Sequence, residues 1–341
     1  MMRVLLISTA CLEVPPSHYG GLEMIVYDLA VCLNERGYDV TVAAPHGSKF
    51  PEGITMLPTV KLPDNKWDEN IALLSYIREA ETMDLIHDHS HNKEIYTFLS
   101  EFENENRFCS TLHCPTSVQY PVKWPCLVTI SKDHSQRIQS GYGYSSKVVH
   151  NGIDLSRFTF KEEKGDRYIF LGRPHPNKNN LGAINMCKEL DVPLDMVGGM
   201  LEDSPSPYAV QVARECRLGS KWVYHGSVKH TEKAELLANA KGLIFPCSDN
   251  WHEPFGLIIP EANASGTPVI AWNRGVFKET VDHGKTGFLA NTVDEFKEYM
   301  TRLDEIDPYD CRAWVKDHFT REEMTNNYEK VYDSVMKGEK W

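Results

Sequence analysis

The amino-acid sequence predicts an α/β protein built from two parallel, doubly wound sheets, and three observations carry that expectation. Apolar runs of strand length alternate with stretches of helical periodicity. The alternation pauses near Asn151–Phe158 and restarts at Arg167. At 341 residues the chain is long enough for about two domains with sizeable cores. Hydrophobic residues make up 41% and charged residues 25%, the balance of a globular protein rather than a disordered or fibrous one.

Taken in order, Val4–Thr9 reads as the first buried strand and Leu22–Arg36 as the helix after it. Asp39–Ala44 is the next strand and Trp67–Met83 a further helix, and Leu85–His87, Cys109–His113 and Leu127–Ile130 complete the first set of strands. The second set comprises Arg167–Leu171, Leu194–Val197, Trp222–His225, Gly242–Pro246 and Pro268–Ala271. Strands that alternate with helices pair in parallel, which implies two Rossmann-like domains joined near Asn151–Phe158. Ligands of such sheets bind at the carboxyl ends of the strands. No G-x-G-x-x-G follows a strand, which weakens a dinucleotide-binding reading.

Charge and cysteine content exclude several classes of function. The net charge is -12, with 12 basic and 18 acidic side chains in residues 1–152 and 24 and 30 in the remainder, so each part carries -6. Acidity spread this evenly argues against nucleic acid and against docking on an anionic membrane face. The helical candidate Trp67–Met83 agrees, carrying Asp68, Glu69, Glu79 and Glu81 rather than a lysine stripe. A hydrophobic or locally basic acceptor groove stays open. No apolar run has the length of a membrane span, and Val4–Ile7 after Met1-Met2-Arg3 lacks the apolar region of a signal peptide. Nine cysteines, an odd number with no C-x-x-C pair, suit a reducing compartment, so the expected location is cytoplasmic. Two clusters invite a zinc reading: Cys109, His113, Cys114 and Cys126, and the run His87-Asp88-His89-Ser90-His91. Neither presents paired ligand hooks, and the expectation is no bound metal.

The run His252 to Trp272, HEPFGLIIPEANASGTPVIAW, holds the most chemistry. Phe255-Gly256-Leu257 opens a helix that tolerates Pro260 because first-turn amides have no intrahelical partner, and Gly266 supplies a left-handed stop. The helix is therefore only about two or three turns long. Its amino end offers N–H groups and a positive dipole end suited to an anion such as a diphosphate. Glu253, before the helix, and Glu261, inside it, can each accept hydroxyl hydrogen bonds from a sugar or ribose beside that anion. Taken alone, a glutamate pair in a chain with 48 acidic residues reads by default as a solvated face.

The segment as a whole resembles the E-x-F-G-x-x-x-x-E signature of family 4 retaining glycosyltransferases, including the A-x-G-x-P-V-I-A strand that follows. The resemblance continues over nearly the whole chain in the expected order. Pro15-Pro16-Ser17-His18-Tyr19-Gly20-Gly21-Leu22-Glu23 is similar to the family's glycine loop. Val149-His150-Asn151-Gly152-Ile153-Asp154 through Phe158 is similar to its N-G-[IV]-D…F crossing segment, and Phe170-Leu171-Gly172-Arg173-Pro174-His175-Pro176-Asn177-Lys178 to its G-R-x-x-x-x-K stretch. The resemblance implies the GT-B fold. In it, an acceptor-side Rossmann-like domain (1–152) and a nucleotide-sugar donor domain (153–320) face each other across a cleft, and a tail helix (321–341) crosses back onto the first domain.

Each candidate has a bland alternative. Gly20-Gly21 reads as a turn, or as a loop that lets backbone approach the donor diphosphate. Arg173 and Lys178 read as surface charges; placed past a strand end and stiffened by Pro174 and Pro176, they resemble the cation pair that neutralises a leaving nucleoside diphosphate. His113 reads as a structural histidine, or as the family's residue that positions the donor hexose. The family has a histidine-rich strand end comparable to His87–His91, with a structural role. Ser131 and Lys132 are candidates for the acceptor side. Asn263-Ala264-Ser265 matches a glycosylation sequon but falls inside the donor helix, and is set aside. Where the family often has Gly-Gly, this chain reads Asn273-Arg274-Gly275, adding charge and bulk near the donor side.

The resulting expectation is a retaining hexosyltransferase moving sugar from a nucleoside-diphosphate donor to an acceptor that is a carbohydrate, a lipid-linked sugar or a small molecule. No cofactor is expected, and no metal, because the cation pair is present and the second domain has no D-x-D. His113, Arg173, Lys178 and Glu253 would carry the chemistry. Gly20, Gly21, Phe255, Gly256, Leu257 and Glu261 would join Arg173, Lys178 and Glu253 in holding the donor. A nucleotide-sugar epimerase of the same architecture and a catalytically silent sugar-nucleotide-binding subunit are the rival readings.

Overall fold

The computed structural model describes residues 1–18, 20–62, 70–91, 95, 107–115, 126–199, 206–216 and 221–341. Tyr19 of the glycine loop and Trp67–Glu69, the expected start of a helix, lie outside the described residues. The chain divides into two compact units, Met1–Gly152 with Arg321–Trp341, and Ile153–Thr320.

The first unit holds β1 (Arg3–Ile7), β2 (Asp39–Pro45), β3 (Ile54–Thr59), β4 (Leu85–Asp88), β5 (Phe108–Leu112), β6 (Leu127–Thr129) and β7 (Lys147–Val148), all parallel in the order β3-β2-β1-β4-β5-β6-β7. Val4, Leu5 and Leu6 of β1 are fully buried, as a central strand covered on both faces requires. Helix Gly21–Glu35 buries Ile25, Val26, Leu29, Ala30 and Leu33, a stripe at helical spacing. Helix Arg321–Met336 joins this unit through Met324, Thr325, Tyr328, Val331, Tyr332 and Val335. The hydroxyl of Tyr38 donates to Glu329 of that helix at 3.1 Å, and Arg36 forms an ion pair with the same carboxylate.

The second unit holds β8 (Tyr168–Leu171), β9 (Leu194–Val197), β10 (Trp222–Gly226), β11 (Gly242–Phe245), β12 (Val269–Trp272) and β13 (Gly287–Ala290) in the order β10-β9-β8-β11-β12-β13, again all parallel. In both sheets the chain winds outward one way and then returns to wind the other. The switch lies between β1 and β4 in the first unit and between β8 and β11 in the second, where a doubly wound sheet opens a crevice beyond its carboxyl ends.

The fold class is the one the sequence predicts, and the differences have physical causes. Three strands without a sequence signal, β3, β7 and β13, all sit at sheet edges. β3 is fully buried only at Thr59 and contains Pro58, β7 is two residues long, and β13 is four. The continuous helix expected over Trp67–Met83 is instead two short pieces, Asn70–Leu73 and Ile77–Ala80. Tyr76 between them leaves the helical conformation, with φ -132° and ψ 0°, and is buried with Ala72, Ala80 and Met83 in the core against β4 and β5.

Candidate active site

The switch point of the second unit is built from the loops that leave β8 and β11. After β8, Gly172-Arg173-Pro174 leads into a 3-10 turn, Pro176–Lys178, capped by His175, whose Nδ1 accepts from the Asn177 amide at 3.1 Å. Asn179 then adopts a left-handed φ of 56° and caps helix Asn180–Glu189. The two loops are stitched together: Ser248 N–H donates to the Asn177 carbonyl at 3.0 Å, and the Asn179 amide donates to the Pro246 carbonyl at 2.9 Å. Lys178 is thereby held against the loop that carries Glu253.

Lys178 forms an ion pair with Oε2 of Glu253, the two side chains being only 16% and 11% exposed. The indole N–H of Trp251 donates to the same oxygen at 2.9 Å. The ammonium also lies 5.4 Å from the ring centres of both Phe245 and Trp251, a cation–π arrangement. Nε of Arg173 is buried with no hydrogen-bond partner among the described residues, a donor that an anion would satisfy. Burial, and then the neighbouring cations Arg173 and Lys178, push the His175 imidazole below its ordinary pKa. A neutral His175 is consistent with its Nδ1 acting as an acceptor.

Helix Ile258–Ala264 begins beyond Gly256, with Ile259 N–H donating to the Gly256 carbonyl at 2.9 Å and Pro260 tolerated in the first turn. It ends at Gly266, φ 77°, where a Cβ would stand 2.8 Å from the Phe160 ring and 2.9 Å from the Lys161 carbonyl oxygen, so no other residue fits. Phe255 is buried edge-on against Phe319, ring centres 5.8 Å apart, so its side chain anchors the helix and only its backbone is left for a donor. Leu257 is half-buried. Glu261 accepts from Lys233 of helix His230–Asn239 at 2.7 Å, the two side chains being 12% and 16% exposed. The Lys233 ammonium lies 5.8 Å from the Phe158 ring. Two lysine–glutamate pairs therefore flank the start of this helix.

Arg274, the departure from Gly-Gly, is absorbed locally. It pairs with Asp249, donates to the Cys247 carbonyl at 2.8 Å and lies 5.9 Å over the Trp272 ring. The loop from Cys247 to Glu253 is thus clamped from β12.

In the first unit, Gly20 has a φ of 147° and leads into helix Gly21–Glu35; a Cβ there would fall 2.6 Å from Cβ of Pro16. Buried Glu23, in the first turn, accepts from the Thr9 hydroxyl at 2.5 Å. His113 follows β5, half-buried, with Nε2 2.8 Å from Nδ1 of His89. His87 and His89 are fully buried. Ser131 caps helix Lys132–Tyr142 by accepting from the His134 amide at 3.1 Å, while Lys132 is exposed. Among the described residues no three His, Cys, Asp or Glu side chains are placed to share a metal ion, and no helix is long and apolar enough to cross a membrane.

Sequence reasoning reached Arg173, Lys178, Glu253 and Glu261 but missed Trp251 and Lys233. A tryptophan two residues before the first glutamate was the available signal for one. The other is a lysine in an ordinary helix and carried none.

The sequence model of glycosyl transferases group 1 matches residues 153–317, and that of glycosyltransferase family 4 matches residues 19–157. The chain belongs to the group 1, family 4 glycosyltransferases. Among curated relatives of this glycosyltransferase, glycogen synthase of Mycobacterium tuberculosis is 23% identical over an alignment covering 84% of the chain and 81% of the relative. AviGT4, a glycosyltransferase involved in avilamycin A biosynthesis, superposes with a TM-score of 0.76 at 23% identity over 100% of both chains. Anabaena HepE, in complex with UDP and glucose, superposes with a TM-score of 0.76 at 16% identity over 98% of this chain and 100% of its own. The glycosyltransferase has the GT-B fold.

Proposed function

We propose that this glycosyltransferase moves a hexose from a nucleoside-diphosphate donor to an acceptor hydroxyl, with retention of anomeric configuration and without a divalent metal. One observation carries the reading: Lys178 and Glu253 pair at the switch point of the second sheet, with Arg173 on the same β8 loop as Lys178, and doubly wound sheets commonly bind ligands at such a point. Arg173 and Lys178 supply two positive charges toward a leaving diphosphate, and Arg173 has a buried donor in want of an acceptor. Glu253 has one oxygen engaged by Lys178 and Trp251 and offers the other to hydroxyls of the hexose. Glu261 holds the ribose, and His113 orients the hexose.

The family resemblance implies front-face transfer. The bond from the anomeric carbon to the diphosphate breaks as the acceptor oxygen bonds to the same face, and the departing diphosphate takes the acceptor proton. The enzyme supplies preorganised charge for the leaving group and no nucleophile. The UDP and glucose bound to HepE make UDP-sugars the first donors to test.

A thermal-shift screen with UDP, GDP, ADP and their sugars identifies the donor, since ligand at a hundred times its Kd adds about 2.7 kcal/mol of stability. Transfer is then measured with chelator present, and the anomeric configuration of the product by NMR. Activity lost on chelation and restored by manganese or magnesium would refute metal independence, and donor epimerised without acceptor would favour the epimerase.

A further inference from the structure

His175 stands in the loop after β8, between Arg173 and Lys178, and its polar groups organise that loop. Its backbone amide donates to Oδ1 of buried Asn180 at 3.2 Å, and its carbonyl accepts from the Lys178 amide at 2.9 Å. Nδ1 of its ring accepts from the Asn177 amide at 3.1 Å and so caps the turn Pro176–Lys178. Asparagine and aspartate side chains make the same bond in an Asx turn. Further bonds carry the turn across to the loop after β11: the Asn177 carbonyl accepts from the Ser248 amide, and the Asn179 side chain donates to the Pro246 carbonyl. One ring nitrogen therefore anchors the turn that brings Lys178 to Glu253.

The partner of that nitrogen fixes where the proton is. A peptide N–H can only donate, so Nδ1 must present its lone pair, and the one proton of a neutral imidazole is left to Nε2. A doubly protonated ring would set one N–H against another, so the cap and the charged form exclude each other. The surroundings also disfavour the charged form. Burial first, then Arg173 and Lys178 of its own loop, hold the imidazole below its ordinary pKa, while Glu253 of the facing loop pairs with Lys178. An aspartate here would cap the turn as well, but would place negative charge where the proposed reading puts a diphosphate.

We propose that His175 is a positioning residue for the transfer: its uncharged ring, bare at Nδ1, caps the turn that holds Lys178 in place for the diphosphate, and protonation of the ring releases that turn. This rests on the reading of Lys178 as a cation for the leaving diphosphate. Donor binding then becomes sensitive to acid through a group that need not touch the donor. The sign follows from the cap. At neutral pH the ring is uncharged and the turn is whole; as pH falls through a value below the ordinary 6.5 of an imidazole, Nδ1 takes a proton and the Asn177 amide loses its acceptor.

Two measurements test this: two-bond proton–nitrogen spectra of the enzyme labelled with 15N-histidine, and the affinity for UDP-glucose, or for the nucleotide sugar that the thermal-shift screen selects, followed by calorimetry from neutral pH into acid. The expected His175 has Nε2 protonated and Nδ1 bare at neutral pH, and the affinity declines as the ring takes its second proton. His175→Leu should weaken binding about tenfold at neutral pH, the loss expected for a missing cap. His175→Asn, whose Oδ1 replaces Nδ1 as the acceptor, should keep most of the affinity and hold it into the acid range where the parent declines. A parent ring protonated on Nδ1 at neutral pH overturns the proposal whatever the variants do. So does a His175→Asn enzyme that keeps the parent's acid decline, a folded His175→Leu enzyme with parental affinity, or a parent affinity that rises as the ring becomes charged. Lys178→Ala with parental affinity and turnover would instead remove the role of Lys178, while the spectrum still decides the protonation of the cap.

Discussion

Lys178 and Glu253, 75 residues apart in sequence, form an ion pair that is mostly withdrawn from solvent and shares its carboxylate oxygen with the indole of Trp251. On the proposed reading, a diphosphate arriving beside Lys178 competes for a cation already paired. The pair keeps the ammonium oriented.

Lys178→Ala should therefore weaken the enzyme twice. A charge-assisted hydrogen bond is worth roughly 1.5–3 kcal/mol, or about ten- to more than hundredfold in affinity. If charge on the leaving group grows during transfer, kcat falls as well as KM rising. Arg173→Ala should act alike, with the double variant short of additivity because both cations serve one diphosphate. Steady-state kinetics decide it; a folded Lys178→Ala enzyme within twofold of the parent in both constants would make Lys178 a spectator charge.

The two lysine–glutamate pairs should separate by ligand. Lys233→Met leaves Glu261 without its 2.7 Å partner and should weaken nucleoside and nucleoside diphosphate by a similar factor, roughly tenfold. Lys178→Ala should weaken only the diphosphate. Calorimetric titration with both ligands measures the difference, and a Lys233→Met loss confined to the diphosphate would count against a ribose role for Glu261.

Trp251→Phe keeps an aromatic face beside Lys178 but removes the 2.9 Å hydrogen bond to Glu253. Donor kcat/KM should fall roughly tenfold, with nucleoside diphosphate affinity nearly unchanged. Equal losses for donor and product would show that the indole supports Lys178 rather than the carboxylate.

Acid sensitivity should trace in part to His134. It is buried at the start of helix Lys132–Tyr142. Burial pulls its pKa down from 6.5 to about 4, against the opposing attraction of Asp133. The unfolded chain thus binds a proton that the folded one does not. Stability from this group is intact above pH 6.5 and is lost as pH falls from 6.5 toward about 4. His134→Leu should flatten the dependence of Tm on pH in that window; an unaltered slope would mean that His134 does not titrate there.

Where the sequence was legible, burial made it so. Central strands such as β1 and β11 are apolar runs that chemistry alone marks as interior, whereas the edge strands β3 and β7 are largely half-buried or exposed and the pattern dissolves; β13 is an edge strand as well, but fully buried. At the site, Glu253, Glu261, Arg173 and Lys178 announce themselves through motifs. Their partners do not. Lys233 stands 28 residues from Glu261, and His89 stands 24 from His113, so each contact exists only once the sheet order has brought separate loops together. Arg274 shows the converse: its motif position was visible, but not that Asp249 and the Cys247 carbonyl would take it up.

Helix Arg321–Met336 has a consequence for the order of assembly. The second unit is one unbroken stretch, Ile153–Thr320, and can complete its packing as soon as it is synthesised. Residues 1–152 precede the second unit yet lack Tyr328, Tyr332 and four other interior side chains until Arg321–Met336 emerges. Until then Ile25, Leu29 and their neighbours have an unfilled face, and His87 lacks the Tyr332 phenol that lies 2.8 Å from its Nδ1. The half of the molecule that is translated first is therefore the half that matures last, and a ribosome stalled within the tail would release a chain with one finished lobe and one open to proteolysis.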